Sequence, residues 1–329
     1  MGHAMPSPTV PTILTVHQLG FASALAEWRA GGAARRAIPR AVFRHLRDLD
    51  FELRAMLRAN LIVTVSADDA RRLRRFLPGL LVEVSPCGVD LEHFSPEAVQ
   101  PARPTDLLFV GNYGHPPNRD AVAFLVREVL PRLGPTSLRI VGRAITPEVS
   151  ALARYPGVEV VGAVDDVRPH LLAARAVVAP VRFGTGMRGK VLEALAMARP
   201  VIATPLGAEG LGAVNGRHLM TAEGSEQWAR TVQAVLGDAD LARRLGAQGR
   251  ALVARDFDWN RITDAHEAIY DRAIHAPSPQ RDPFARHEIP WQRLAEPLPS
   301  SLRRRMSLAT GALIAARRGA HWYSGRRWR

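Results

Sequence analysis

Apolar residues in this chain fall into short, nearly unbroken, β-branched runs, separated by stretches in which apolar and polar positions alternate with a helical period. From about residue 10 to residue 274 the runs are TILTV (12–16), LIVTVS (61–66), LVEVSP (81–86), DLLFVG (106–111), SLRIVG (137–142), VEVVGAV (158–164), AVVAPV (176–181) and PVIAT (200–204). Such continuity is expected of parallel strands covered on both faces, because neither face meets water. Between them, stretches such as 120–133 and 190–197 place apolar residues at i, i+3 and i+4, the spacing of a helix with one buried face. The alternation predicts an α/β, doubly wound architecture. The last clear helix covers about 259–274.

The pattern breaks at SPCGVDLEHFSPEAVQPARPTD (85–106), where four prolines and a glycine lie between two clear strands. This predicts a front domain over 1–84, a linker over 85–105, a second domain over 106–275 and a proline-broken tail over 276–329. Only three strand candidates precede the linker, whereas a complete doubly wound domain uses about five or six. The front domain is therefore expected to be partial.

Composition narrows the class. With 47% hydrophobic and 23% charged residues the chain is ordinary globular material. Its single cysteine, Cys87, excludes an intramolecular disulfide and a cysteine-based zinc site. The eleven histidines are scattered without metal-ligand spacing, so no metal is expected. No run approaches the roughly 18 apolar residues of a membrane span, and no basic stretch precedes an apolar one near the start. A cytoplasmic location is the expectation. Of the formal charge of +13, most lies in the tail, where RRR, ARR and GRRWR accompany Trp322, Tyr323 and Trp328. That composition suits a solvated tail, peripheral contact with anionic lipids at the inner membrane face, or RNA; nucleic acid is not the favoured partner.

Candidate chemistry concentrates at GTGMRGKVLEALA (184–196), which follows one strand and opens a helix. Free backbone N–H groups and the positive end of the helix dipole converge at such a point. Glycines at 184, 186 and 189 let an anion approach the backbone, and Arg188 and Lys190 add two cations. Lys190 is the only lysine in the chain. Glu193 lies three residues further on, on the same helical face, where a carboxylate can accept both hydroxyls of a ribose; a plain surface Lys–Glu pair fits the local pattern equally well. A dinucleotide fingerprint needs an acid at the end of the next strand. PVIAT ends at Thr204 and is followed by Pro205 and Leu206, with no acid there, so an NAD-dependent oxidoreductase is a poor fit.

PCGVDLEHFSP (86–96), FVGNYGHPPNRDAVAFLVREVLPRL (109–133) and the whole of 160–211 together resemble the group 1 (family 4) glycosyltransferases, and 256–274 resembles that family's closing helix. The resemblance covers about residues 85–275 and implies a GT-B fold. It implies a complete C-terminal, Rossmann-like nucleotide-sugar domain preceded by a partial Rossmann-like acceptor domain. The implied activity is transfer of a hexose from a nucleotide-diphosphate sugar, with retention and without a metal or other cofactor, in polysaccharide or glycoconjugate synthesis. The acceptor would be a glycan or a lipid-linked molecule. Glu193 matches the second glutamate of the family's Glu–seven residues–Glu motif, the ribose ligand, while the first falls at Thr185, within a Gly184-Thr185-Gly186 turn. Gly111 matches the glycine turn beneath the diphosphate. The family's Arg and Lys after that turn are replaced by Asn112, Tyr113 and His115, which leaves diphosphate neutralisation to Arg188 and Lys190.

Gly142 and Gly162 either border the base pocket or are ordinary turn glycines, and Asp165 and Asp166 read as helix caps. His17, at the end of the first strand, matches the family's histidine facing the donor sugar. Family members carry more strands and an acceptor loop before that position, so a late start or a truncated, inactive protein that only binds a nucleotide sugar is the alternative expectation.

Overall fold

The computed structural model describes residues 11–17, 52–53, 55–184 and 189–276. The chain divides into two compact units. The first holds β1 (Ile13–Val16), β2 (Leu61–Thr64), most of α1 (Ala67–Phe76) and β3 (Val82–Val84) as far as Glu83. Its sheet has the order β1-β2-β3, with β1 and β2 parallel and in register from Ile13 opposite Leu61 to Val16 opposite Thr64. Ile62 and Val63 are completely buried, as the unbroken LIVT run requires.

The second unit runs from Val84 to Ile269 and includes Val65–Asp68. Its elements are β4 (Thr105–Val110), α2 (Pro116–Phe124), β5 (Leu138–Val141), α3 (Pro147–Ser150), β6 (Val158–Gly162), α4 (Arg168–Ala173), β7 (Ala174–Ala179), α5 (Gly189–Ala196), β8 (Val201–Ala203), β9 (Met220–Thr221), α6 (Gly224–Gly237), α7 (Ala239–Asp256) and α8 (Trp259–Ile274). The six strands form one parallel sheet of order β6-β5-β4-β7-β8-β9. Successive side chains of a strand point to opposite faces. Leu107 and Phe109 accordingly enter one apolar cluster, with Phe124 and Trp228, while Leu108 enters another with Val177, Val191, Leu192 and Leu195. A sheet buried on both sides is the doubly wound arrangement the apolar runs predict.

The strand order has one consequence for function. The chain winds outward from β4 through β5 to β6, then returns beside β4 at β7 and winds the other way. In open parallel sheets ligands lodge at such a reversal, beyond the carboxyl ends of the strands. Here the reversal lies between β4 and β7, so the loops after Val110 and Ala179 flank it.

The strand spans agree with the sequence pattern to within a residue or two, apart from the two-residue β9, which the pattern does not reveal. α2 differs more: it begins at Pro116 rather than near 120, and after Phe124 it continues as a π-helical turn, Leu125–Val129, and a 3-10 turn, Leu130–Arg132. The linker is fastened to the second unit through its backbone. Val89 N–H donates to Phe257 O at 2.8 Å, Trp259 N–H donates to Val89 O at 3.2 Å, and Arg168 and Arg250 donate to the carbonyls of His93 and Phe94.

Candidate functional site

Three glycines stand side by side at the carboxyl ends of β4, β5 and β6. Gly111 N–H donates to Val141 O at 3.0 Å, and Gly142 N–H donates to Gly162 O at 2.7 Å. Gly142 has φ +142°, and a Cβ there would lie 1.7 Å from the Gly111 carbonyl oxygen, so no side chain fits. Gly162 has φ +90° with open space around it, and only backbone conformation favours glycine there. Gly142 thus packs the glycine turn at Gly111 into place.

Beyond Gly111 the chain turns through Asn112, whose Oδ1 accepts from Gly114 N–H at 3.0 Å. Tyr113 drops into the core, with its hydroxyl donating to Val141 O at 3.2 Å, and burial pushes that phenol well above its ordinary pKa. Arg119 donates to the carbonyls of Tyr113 and Gly114. Pro116 and Pro117 open α2, and His115 is its N-cap residue. Those prolines bring no N–H, so the start of α2 is poor at holding an anion.

Opposite this turn, α5 follows β7. Val191, Leu192, Ala194 and Leu195 are buried, and Lys190 and Glu193 stand half-buried at the rim. Lys190 Nζ donates to Asn118 Oδ1 at 2.6 Å and lies 4.5 Å from the centroid of the Phe109 ring. Burial pushes the Glu193 carboxyl above its ordinary range, and the neighbouring Lys190 cation draws it partly back. Arg182 joins the loop after β7 to α2 through a two-pronged pair with Asp120 at 2.8 and 2.5 Å, its guanidinium 4.9 Å from the Phe124 ring centroid. Gly184, at φ +104°, begins the glycine loop.

Of the residues singled out by sequence, Gly111, Asn112, Lys190 and Glu193 come together at the β4/β7 reversal, with Gly184 on the loop that leads to it. Gly162 lies two strands away, tied in through Gly142. Thr185, Gly186 and Arg188 lie outside the described residues, as does the tail beyond 276. His17 is exposed just after β1 in the first unit. The N-cap position of α4 belongs to Val167, so neither Asp165 nor Asp166 is the helix cap the sequence pattern suggests: Asp166, one residue earlier, accepts from Arg168 N–H at 2.9 Å and pairs with the Arg168 guanidinium, and Asp165 is exposed. Asn118 is the residue the sequence pattern did not reveal. Among the described residues, no group of three or more His, Cys, Asp or Glu side chains is placed to hold a metal ion, and no helix is long and apolar enough to cross a membrane.

Residues 104–238 match the family model described as "Glycosyl transferases group 1". The chain is 30% identical over 230 residues to glycogen synthase of Mycobacterium tuberculosis, covering 65% of this chain and 55% of that protein. It thus spans about half the length of the curated relatives it matches. Among solved structures it is similar to sucrose-phosphate synthase from Thermosynechococcus elongatus, at 20% identity and a TM-score of 0.62 over 79% of this chain and 67% of that one. It is also similar to Anabaena Alr3699/HepE, crystallised with UDP and glucose, at 16% identity and a TM-score of 0.58 over 79% and 71% of the two chains. These likenesses establish the fold as α/β of the GT-B type with Rossmann-like sheets.

Proposed function

We propose that this protein is a glycosyltransferase that moves a hexose from a nucleotide-diphosphate sugar to a glycan or lipid-linked acceptor. The observation that carries the reading is the placement of Lys190. Its ammonium sits where the strand order reverses, across from the Gly111 turn and at the first turn of α5, with Glu193 one turn further along. A diphosphate seated there would meet the ammonium, the backbone N–H groups of α5 and, by the resemblance, Arg188. Glu193 would accept the ribose hydroxyls. The match of 104–238 to the group 1 model supports the same ligand class, as does a fold relative solved with UDP-glucose.

In this reading the leaving diphosphate gains negative charge as the glycosidic bond breaks, and fixed cations and dipoles aimed at that charge lower the barrier. Arg188 and Lys190 supply the stabilisation, which requires no metal, and retention at the anomeric carbon is the stereochemical outcome proposed. The resemblance assigns His17 to the donor sugar, and the pathway proposed is polysaccharide or glycoconjugate synthesis. The protein would work in the cytoplasm, with the basic tail as a peripheral membrane contact. Thr185, where the family carries its first glutamate, favours a second reading in which the protein binds a donor without transferring its sugar.

Release of free nucleotide from UDP-glucose and GDP-mannose, with and without oligosaccharide acceptors, separates the two. The transferase reading predicts turnover that falls at least about a hundredfold in Lys190→Ala, the scale of losing one donor to a developing charge. Tight binding with no turnover on any donor would favour the binding protein.

A further inference from the structure

Asn118 is the side chain through which the two sides of the reversal touch. Its Oδ1 accepts from Lys190 Nζ at 2.6 Å, and its Nδ2 donates to the Asn112 carbonyl at 2.8 Å. The orientation of the amide is dictated by its partners: an ammonium only donates and a carbonyl only accepts, so exchanging O and N would break both bonds. The surroundings are tight. A Cβ on Gly111 would lie 3.2 Å from Asn118 Cγ and 3.1 Å from the Phe109 ring, so glycine at 111 makes room for both. The same ring forms the floor beneath the ammonium, a contact that favours a cation.

We infer that Asn118 is a positioning residue, which holds the Lys190 ammonium over the Gly111 turn before any anion arrives. The inference rests on the donor-site reading of Lys190. A cation already in place need not reorganise when a diphosphate binds, and electrostatic sites owe much of their strength to that economy. A neutral amide suits the task better than a carboxylate, because it orients the charge without cancelling it.

The single lysine makes the test direct. The whole protein is treated with acetic anhydride for graded times, acetylation of the peptide bearing Lys190 is followed by mass spectrometry, and UDP binding is measured by calorimetry. Asn118→Ala is expected to speed Lys190 acetylation about three- to tenfold and to weaken UDP about tenfold, the scale of one hydrogen bond to a charged group. Asn118→Asp keeps an acceptor for the ammonium and adds a negative charge. It is expected to leave acetylation as slow as in the native protein while weakening UDP more than the alanine does, and it carries the test if the alanine variant does not fold. A residue that merely supports the fold would move both readouts together in both variants. Unchanged acetylation in Asn118→Ala, equal acceleration in both variants, or unchanged UDP affinity in a protein that binds UDP overturns the inference. If the native protein takes up no UDP while acetylation follows the expected pattern, Asn118 keeps its role and the donor-site reading falls.

Discussion

Glu193 shows most directly what the site demands of one residue. Withdrawal from water raises its carboxyl pKa above the ordinary 4.5, with Lys190 pulling the other way. A carboxyl whose pKa is raised on folding binds protons more tightly folded than unfolded, so its contribution to stability is present below the unfolded pKa and is lost as pH rises through the folded one. Thermal unfolding followed across that range should therefore show the native protein losing stability relative to Glu193→Gln as pH rises past about 4.5. Parallel curves would mean the carboxyl is not strained by burial. Lys190 and Glu193 were legible in the sequence because they share one helix at fixed spacing. Asn118 was not, because its partner lies 72 residues away and only the strand order brings the two together.

α5 carries both residues and follows β7 in the chain. At its end the chain closes in a Schellman arrangement: Ala198 N–H donates to Leu195 O at 2.9 Å and Arg199 N–H to Ala194 O at 3.0 Å, with Ala198 at φ +52°. Glycine usually fills that left-handed position, since a Cβ there costs about 1–2 kcal/mol. Ala198→Gly is accordingly expected to stabilise the protein by about 1 kcal/mol in denaturant unfolding, after the extra entropy of an unfolded glycine. A loss of stability would show that the alanine methyl makes a compensating contact. α7 then approaches this turn through Gly246, where a Cβ would come 2.2 Å from Ala198 O, so the bare backbone of one helix fixes the end of the other.

The apolar period revealed α5 and α8 almost to the residue. It misplaced the start of α2, because two prolines read as a break, although both suit the first turn of a helix, where the missing N–H groups have no partner in any case. It also missed β9, since two residues at a sheet edge are too few to show a period.

At the scale of the molecule, the sequence pattern specified parallel strands covered on both faces but not their order. Order emerges only when the crossovers fold, and it is order that places the reversal between β4 and β7. The glycine loop alone imitates a dinucleotide site. In the folded unit the first turn of the helix that follows it stands across the reversal from the Gly111 turn, with Lys190 tethered to Asn118. We propose that this reversal holds the diphosphate and ribose of a nucleotide sugar. Calorimetric titration of UDP-glucose and GDP-mannose into the native protein, Lys190→Ala and Glu193→Ala, with NAD as the control ligand, tests it most directly. One of the two nucleotide sugars is expected to bind, each substitution to weaken it about tenfold or more, as loss of a charge-assisted contact should, and NAD to bind more weakly than that sugar nucleotide. Affinity unchanged by both substitutions, or tighter binding of NAD, would contradict this proposal.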